Sequence, residues 1–246
     1  MESIHIFKTE KELITAAANY FVKTATQAIA KNHQFSVALS GGSSPKKLYE
    51  LLATDAYKNK VDWKKVSFFF GDERYVSEDD SLRNSLMAQR ALFDPLQIKT
   101  SQVFKVDTTL SPENAAAAYY ESIEKYFKET PIQFDLVLLG LGDNAHTASL
   151  FPSSNVLDET EQTVKSVFVE EQQLYRITMS APLINHAKQI AFLVFGSAKA
   201  KAVHQVLKGP IDTNKYPAQL IHPIHGELHW FLDEAAASLY SDEIKN

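Results

Sequence analysis

The chain has 246 residues, 45% hydrophobic and 22% charged, a balance that supports a sizeable core and excludes disordered, collagen-like and coiled-coil classes. Lys plus Arg total 25 against 30 for Asp plus Glu, and the formal charge of -5 offers no general attraction to nucleic acid or anionic membranes, so any bound anion must meet a local site. There is no cysteine, which rules out disulfides, thiolate nucleophiles and cysteine-ligated zinc.

Residues 1–21 lack a basic start followed by an unbroken apolar stretch, and the longest apolar runs, such as Leu136–Leu139 and residues 190–195, fall far short of a membrane span. A cytoplasmic location is therefore the expectation, with no membrane partner. Short apolar runs at Phe35–Leu39, Val66–Phe70, residues 134–139 and residues 190–195 are bounded by turn residues and read as strands buried on both faces. Between them, helical patterns cover residues 11–30, 45–52, 84–92, 113–127 and 198–207. The clearest repeats Ala116, Tyr119, Tyr120, Ile123 and Phe127 at helical spacing, behind Ser111 as cap and Pro112 in the first turn. Strand and helix alternate along most of the chain. This predicts one α/β domain over residues 1–246, a doubly wound, mostly parallel sheet with helices on both faces, and a small β addition near residues 164–179. In such sheets ligands sit beyond the carboxyl ends of the strands, which directs attention to the loops after Leu39, Phe70 and Leu139.

The first loop, Ser40-Gly41-Gly42-Ser43-Ser44-Pro45, opens a helix with Ser44 expected as cap and Pro45 as first helical residue. Glycines admit close approach of a ligand, and first-turn amides favour an anion such as phosphate, although a plain strand-to-helix turn has the same composition. The second loop, Gly71-Asp72-Glu73-Arg74-Tyr75, places three charges directly after three consecutive phenylalanines, a cost unless they pair or meet ligand. Arg74 suits phosphate and a carboxylate could hold it in place; the alternative is a surface salt-bridge network.

The third loop, residues 140–152, formally matches a Gly-x-Gly-x-x-Ala dinucleotide fingerprint. That reading fails, because the fingerprint needs a long helix and Pro152 follows Ala145 too soon. The loop instead offers His146 flanked by the hydroxyls of Thr147 and Ser149 at a sheet mouth, where an imidazole can take a proton from water. His222, His225 and His229 are close in sequence, but Pro223 and Gly226 break any common helical face, so no metal is expected.

The strings VALSGGSSPKKLYELL, FFFGDERYVSEDDSLRNSLMAQRALF, FDLVLLGLGDNAHTASLFP, YRITMSAPLINHAKQIAFLVFGSAKAKAV and GELHWFLDEAA span nearly the whole chain. Through them the sequence resembles the 6-phosphogluconolactonases related to glucosamine-6-phosphate isomerase/deaminase, HTASLFP after a Gly-x-Gly turn being the most specific piece. The resemblance implies hydrolysis of 6-phospho-D-glucono-1,5-lactone in the oxidative pentose phosphate branch with no cofactor; the expected partner is a small sugar phosphate, not nucleic acid or membrane, and the expected state a monomer or homodimer. It places Gly41, Gly42 and Ser43 on the phosphate side, with Arg74 and Lys199 supplying positive charge. Asp72 would orient Arg74 or the sugar, Asn84 falls at the family's Asn after the acidic loop, and His146 would activate water. The commonest family pattern has Asp-Gly before the histidine where this chain has Asn144-Ala145. An amide cannot be an anionic partner, so a carboxylate role would move to Asp143 or be unnecessary, and Ala145 is expected to disfavour positive φ.

Two rivals remain at this level. A glucosamine-6-phosphate isomerase or deaminase would carry a glutamate soon after the histidine, where this chain has Ser149-Leu150-Phe151. A non-catalytic sugar-phosphate sensor would need a DNA-reading domain, for which the chain has neither spare length nor a basic helix-turn-helix.

Overall fold

The computed structural model describes residues 1–128 and 131–241. Six strands form a sheet paired throughout in parallel: β1 (Glu2–Phe7), β2 (Phe35–Leu39), β3 (Val66–Phe70), β5 (Leu136–Leu139), β8 (Gln189–Val194) and β9 (Glu227–Asp233), in the spatial order β1-β9-β8-β5-β2-β3. Strands β2, β3 and β5 are apolar on both sides because both faces are covered. Val37, Leu39, Phe68, Phe70, Leu136 and Leu138 join the core under helices α1 (Glu10–Asn32) and α2 (Ser43–Leu52). Their alternates Ala38, Phe69, Val137 and Leu139 join the core under α5 (Pro112–Phe127) and α7 (Ala200–Leu207). Thr9 and Ser111 cap α1 and α5, each side chain accepting from a first-turn amide.

Strand order reverses beside β2, which has β3 on one side and β5 on the other. The loops leaving Leu39 and Leu139 therefore part around a crevice, the usual place for a ligand in such a sheet. The β addition proves to be a separate antiparallel sheet, β4-β7-β6, in which the hairpin β6 (Val164–Val169) and β7 (Leu174–Met179) is joined by β4 (Asp72–Arg74). Since β4 follows β3 after one residue, Gly71, this sheet stands over the same end of the main sheet.

Two expected elements differ. The helix over residues 84–92 is split into α3 (Asn84–Ala88), a π-helical turn Gln89–Phe93 and α4 (Asp94–Leu96). Ala91, Leu92 and Phe93 are buried in succession, more than one face of a regular helix presents, and the wider turn accommodates them. Strands β1 and β9 were not foreseen; His229 lies within β9, its ring between Glu227 and His5, away from the exposed His222 and His225. Two further short helices, α6 (Ala181–Asn185) and α8 (Ser238–Ser241), complete the described α-helices. No described helix is long and apolar enough to cross a membrane.

Candidate active site

The first loop is stapled by Tyr49 of α2, whose hydroxyl accepts from the Ser40 N–H at 3.0 Å and donates to the Ser40 carbonyl at 2.9 Å. Burial pushes the Tyr49 phenol up, so it remains a neutral donor. The helix begins earlier than expected: Gly42, not Ser44, is the cap, with φ 100°, a region open to glycine, and Pro45 is the third helical residue. No side chain caps α2, which leaves the amides of Ser43 and Ser44 available to an anion.

In the second loop the three charges separate by strand alternation. Glu73 is fully buried and accepts from the backbone N–H groups of Arg74 (2.8 Å), Asn84 (2.6 Å) and Ser85 (2.8 Å), with the buried Arg83 guanidinium 3.9 Å away. Asp72 and Arg74 face the crevice, so the surface-network alternative is excluded. The Asp72 carboxylate accepts from Ser149 Oγ (2.6 Å) and Asn84 Nδ2 (3.3 Å) and lies 3.8 Å from Arg176. Its ion-pair partner is thus Arg176 rather than Arg74, and Arg74 is fixed instead by donating to the Leu82 carbonyl at 2.6 Å.

The third loop folds back on itself through bonds from Gly142 N–H to the His146 carbonyl (2.8 Å) and from Ala145 N–H to the Gly142 carbonyl (3.0 Å). Ala145 takes φ 60° despite its Cβ, against the expectation; its carbonyl accepts from Ala218 at 2.9 Å and its methyl is buried, contacts that hold an unfavourable conformation in place. The His146 ring stacks on Phe151 with centroids 4.2 Å apart, its Nδ1 edge pressed against Gly142. Burial, with Arg176 and Lys199 acting in the same direction against Asp72 and Asp143, lowers its pKa to about 4. Lys199, in the turn after β8, reaches Asp143 at 2.5 Å.

One cavity of about 270 Å³ is lined by every residue expected at the site: Gly41, Gly42, Ser43, Asp72, Arg74, Asn84, His146 and Lys199. Two polar lining residues were not expected, Gln172 and Arg176, both delivered by the β6–β7 hairpin and bonded to each other. The available signal was an arginine interrupting the apolar run of β7; it pairs in register with Arg74. Arg74, Arg176 and Lys199 face a single lining carboxylate, Asp72. Among described residues, buried polar side-chain atoms without partners include Arg74 Nε, Arg176 Nε and Asn84 Oδ1, all belonging to residues of this cavity. Two orphan donors and an orphan acceptor suit a ligand that carries both anionic oxygens and hydroxyls.

A family model described as glucosamine-6-phosphate isomerases/6-phosphogluconolactonase matches residues 8–230. The chain belongs to this family. The 6-phosphogluconolactonase of Synechocystis is 38% identical over 92% of this chain and 93% of its own, and that of Nostoc 36% identical over 96% and 98%. The solved structure of the 6-phosphogluconolactonase from Trypanosoma cruzi superposes with a TM-score of 0.86 at 27% identity, covering 97% of this chain and 96% of that one. The polar residues of this cavity thus come from the segments after β2, β3, β5 and β8, the start of α3 and one hairpin.

Gly41, in the cavity wall, leaves no room for a side chain. A Cβ there would stand 1.9 Å from Asn84 Oδ1, so Gly41→Ala should displace Asn84 from Asp72 and lower kcat/KM by roughly 10²-fold, the weight of an ångström of misplacement. Steady-state kinetics beside an unchanged melting temperature checks this; an unaffected kcat/KM would mean that Asn84 is not part of the binding geometry.

Proposed function

We propose that the protein hydrolyses 6-phospho-D-glucono-1,5-lactone to 6-phosphogluconate in the cytoplasm, as an enzyme of the pentose phosphate pathway, with His146 activating the attacking water. One observation carries this reading: an imidazole kept neutral by burial shares a single small cavity with three cationic side chains and an uncapped helix start. The names of the relatives point to the same substrate.

A lactone is an activated ester, so the chain needs to supply only orientation, a base and charge stabilisation. Gly41, Gly42 and Ser43 with Arg74 take the phosphate, where amides and a guanidinium match its oxygens. Asn84 Oδ1, its own amide N–H groups engaged by Asp72, is left to accept from a sugar hydroxyl. His146 removes a proton from water as the oxygen adds to the carbonyl carbon. Arg176 and Lys199, both close enough to lower the imidazole pKa, provide the positive field for the developing oxyanion. Ring opening then returns the proton to the leaving oxygen.

The deaminase reading requires proton transfer at carbon by a second acid or base beside the histidine. Ser149 is committed to Asp72, Leu150 is buried, and Phe151 stacks on the ring, so the stretch after His146 supplies none. NMR of the δ-lactone with and without protein tests the proposal: hydrolysis far above the spontaneous rate is expected, while ammonia release from glucosamine 6-phosphate without lactone turnover would replace it. Binding of the sugar phosphate with no turnover of either compound would favour a sensor.

Arg74→Ala separates phosphate binding from chemistry. Loss of a bidentate phosphate contact should raise KM for the phosphorylated lactone by roughly 10–100-fold. An equal loss on the dephosphorylated lactone would remove Arg74 from the phosphate subsite.

A further inference from the structure

The partner of His146 Nδ1 is an amide rather than a carboxylate. Asn144 Oδ1 lies 2.5 Å from His146 Nδ1 and 3.2 Å from the His146 backbone nitrogen. A backbone N–H can only donate, so the Asn144 atom that faces it must be the carbonyl oxygen and not the NH₂ group. The same oxygen faces the ring, and an oxygen without a proton can bond Nδ1 only if Nδ1 carries the hydrogen. We propose that Asn144 is a positioning residue that fixes His146 as the Nδ1–H tautomer and so reserves the Nε2 lone pair for water.

Geometry supports each step. The Nδ1 edge is closed by Gly142, where even a Cβ would come within 2.0 Å of Nδ1, so water has no room on that side. Phe151 covers one ring face. Nε2 has no protein partner among the described residues and is not one of the buried orphan atoms, which leaves it the cavity that His146 lines. The charged groups facing the ring come from other positions: Asp72 from β4, Arg176 from β7, Lys199 from the turn before α7, and Asp143 from the same loop. Asp143 is mostly exposed and is taken up by Lys199. The direct partner of the imidazole is therefore uncharged: it sets the tautomer without favouring the imidazolium, and the base stays in its acceptor form as the pH falls.

This inference rests on His146 being the base, and its test separates the two. In side-chain ¹⁵N NMR, with the His146 signals identified by their loss in His146→Ala, the resting protein is expected to hold a neutral ring protonated at Nδ1 between pH 5 and pH 8. Asn144→Ala, at an exposed position, should shift the tautomer ratio roughly tenfold toward Nε2–H and lower kcat by about the same factor with KM nearly unchanged, the weight of one hydrogen bond. Asn144→Asp should keep the tautomer but raise the His146 titration, and with it the acid limb of kcat, by about one pH unit or more. A wild-type ring protonated at Nε2, or an unchanged tautomer ratio in Asn144→Ala, would overturn the proposal. Full turnover in His146→Ala would instead defeat the assignment of the base, whatever the tautomer.

Discussion

His146→Ala should fold and bind sugar phosphate yet turn over the lactone roughly 10²–10⁴-fold more slowly, the usual contribution of a positioned general base. The ring is not a structural keystone: it lies on Phe151 at the edge of a cavity, and the loop is held without it by the bonds from Gly142 to the His146 carbonyl and from Thr147 Oγ1 to the Gly140 carbonyl at 2.9 Å. The loss should therefore fall on kcat, with KM preserved because the residues proposed to take the phosphate lie on other loops. Turnover with excess lactone, corrected for spontaneous hydrolysis, provides the measurement. A kcat within a few-fold of wild type would remove His146 from the mechanism. The pH dependence follows from the same group. Burial lowers its pKa to about 4, so the imidazole is an unprotonated acceptor at neutral pH and becomes protonated only as the pH falls toward that value. The wild-type kcat is expected to be level from neutrality to about pH 5 and to decline below it. An acid limb near the ordinary histidine value would mean that the bound complex does not keep the ring desolvated.

The parts of this molecule that were legible in its sequence share a physical cause. Phe35–Leu39 and Val66–Phe70 are strands with the bounds their apolar runs suggest, because a parallel strand covered on both faces must be apolar on both and its ends are marked by turn residues. The carboxyl-end rule then led to three of the segments that line the cavity. Strands β1 and β9 were less legible: β1 is an edge strand only partly buried, and β9 opens with Glu227 and has His229 inside its apolar run. Arg176 and Gln172 were missed for another reason. They reach the site because β4 adds to a hairpin more than eighty residues later in the chain, and no local pattern encodes that pairing. The start of α2 was misplaced because Ser44-Pro45 is a good capping sequence, yet Gly42 occupies a backbone region that serine would enter only under strain.

The largest effect on stability should come from Glu73, which does not line the cavity. Glu73→Ala is expected to cost about 3–5 kcal/mol, the range for removing one partner of a buried ion pair. The carboxylate is fully buried and its environment consists of donors: three backbone N–H groups at 2.6–2.8 Å and Arg83, itself 2% exposed. Burial pushes the Glu73 carboxyl up while those amides pull it down, so the group depends on them as they depend on it. Truncation leaves the amides of Arg74, Asn84 and Ser85 without an acceptor in a space closed to water, and leaves Arg83 to Ser85, Val76, Thr108 and Val106, which are all neutral. For a chain of this size the penalty corresponds to a fall in melting temperature of roughly 10 °C. Catalysis should suffer as well, since the Asn84 amide is the first of α3 and its side chain donates to the Asp72 carbonyl at 2.9 Å, so that relaxation of the α3 start loosens both cavity residues. Glu73→Gln, which keeps one acceptor oxygen, should lie between the two. A melting temperature within about 3 °C of wild type for Glu73→Ala would show that water enters to replace the carboxylate, and that the phenylalanine strand and the arginine loop are joined by packing rather than by this buried charge.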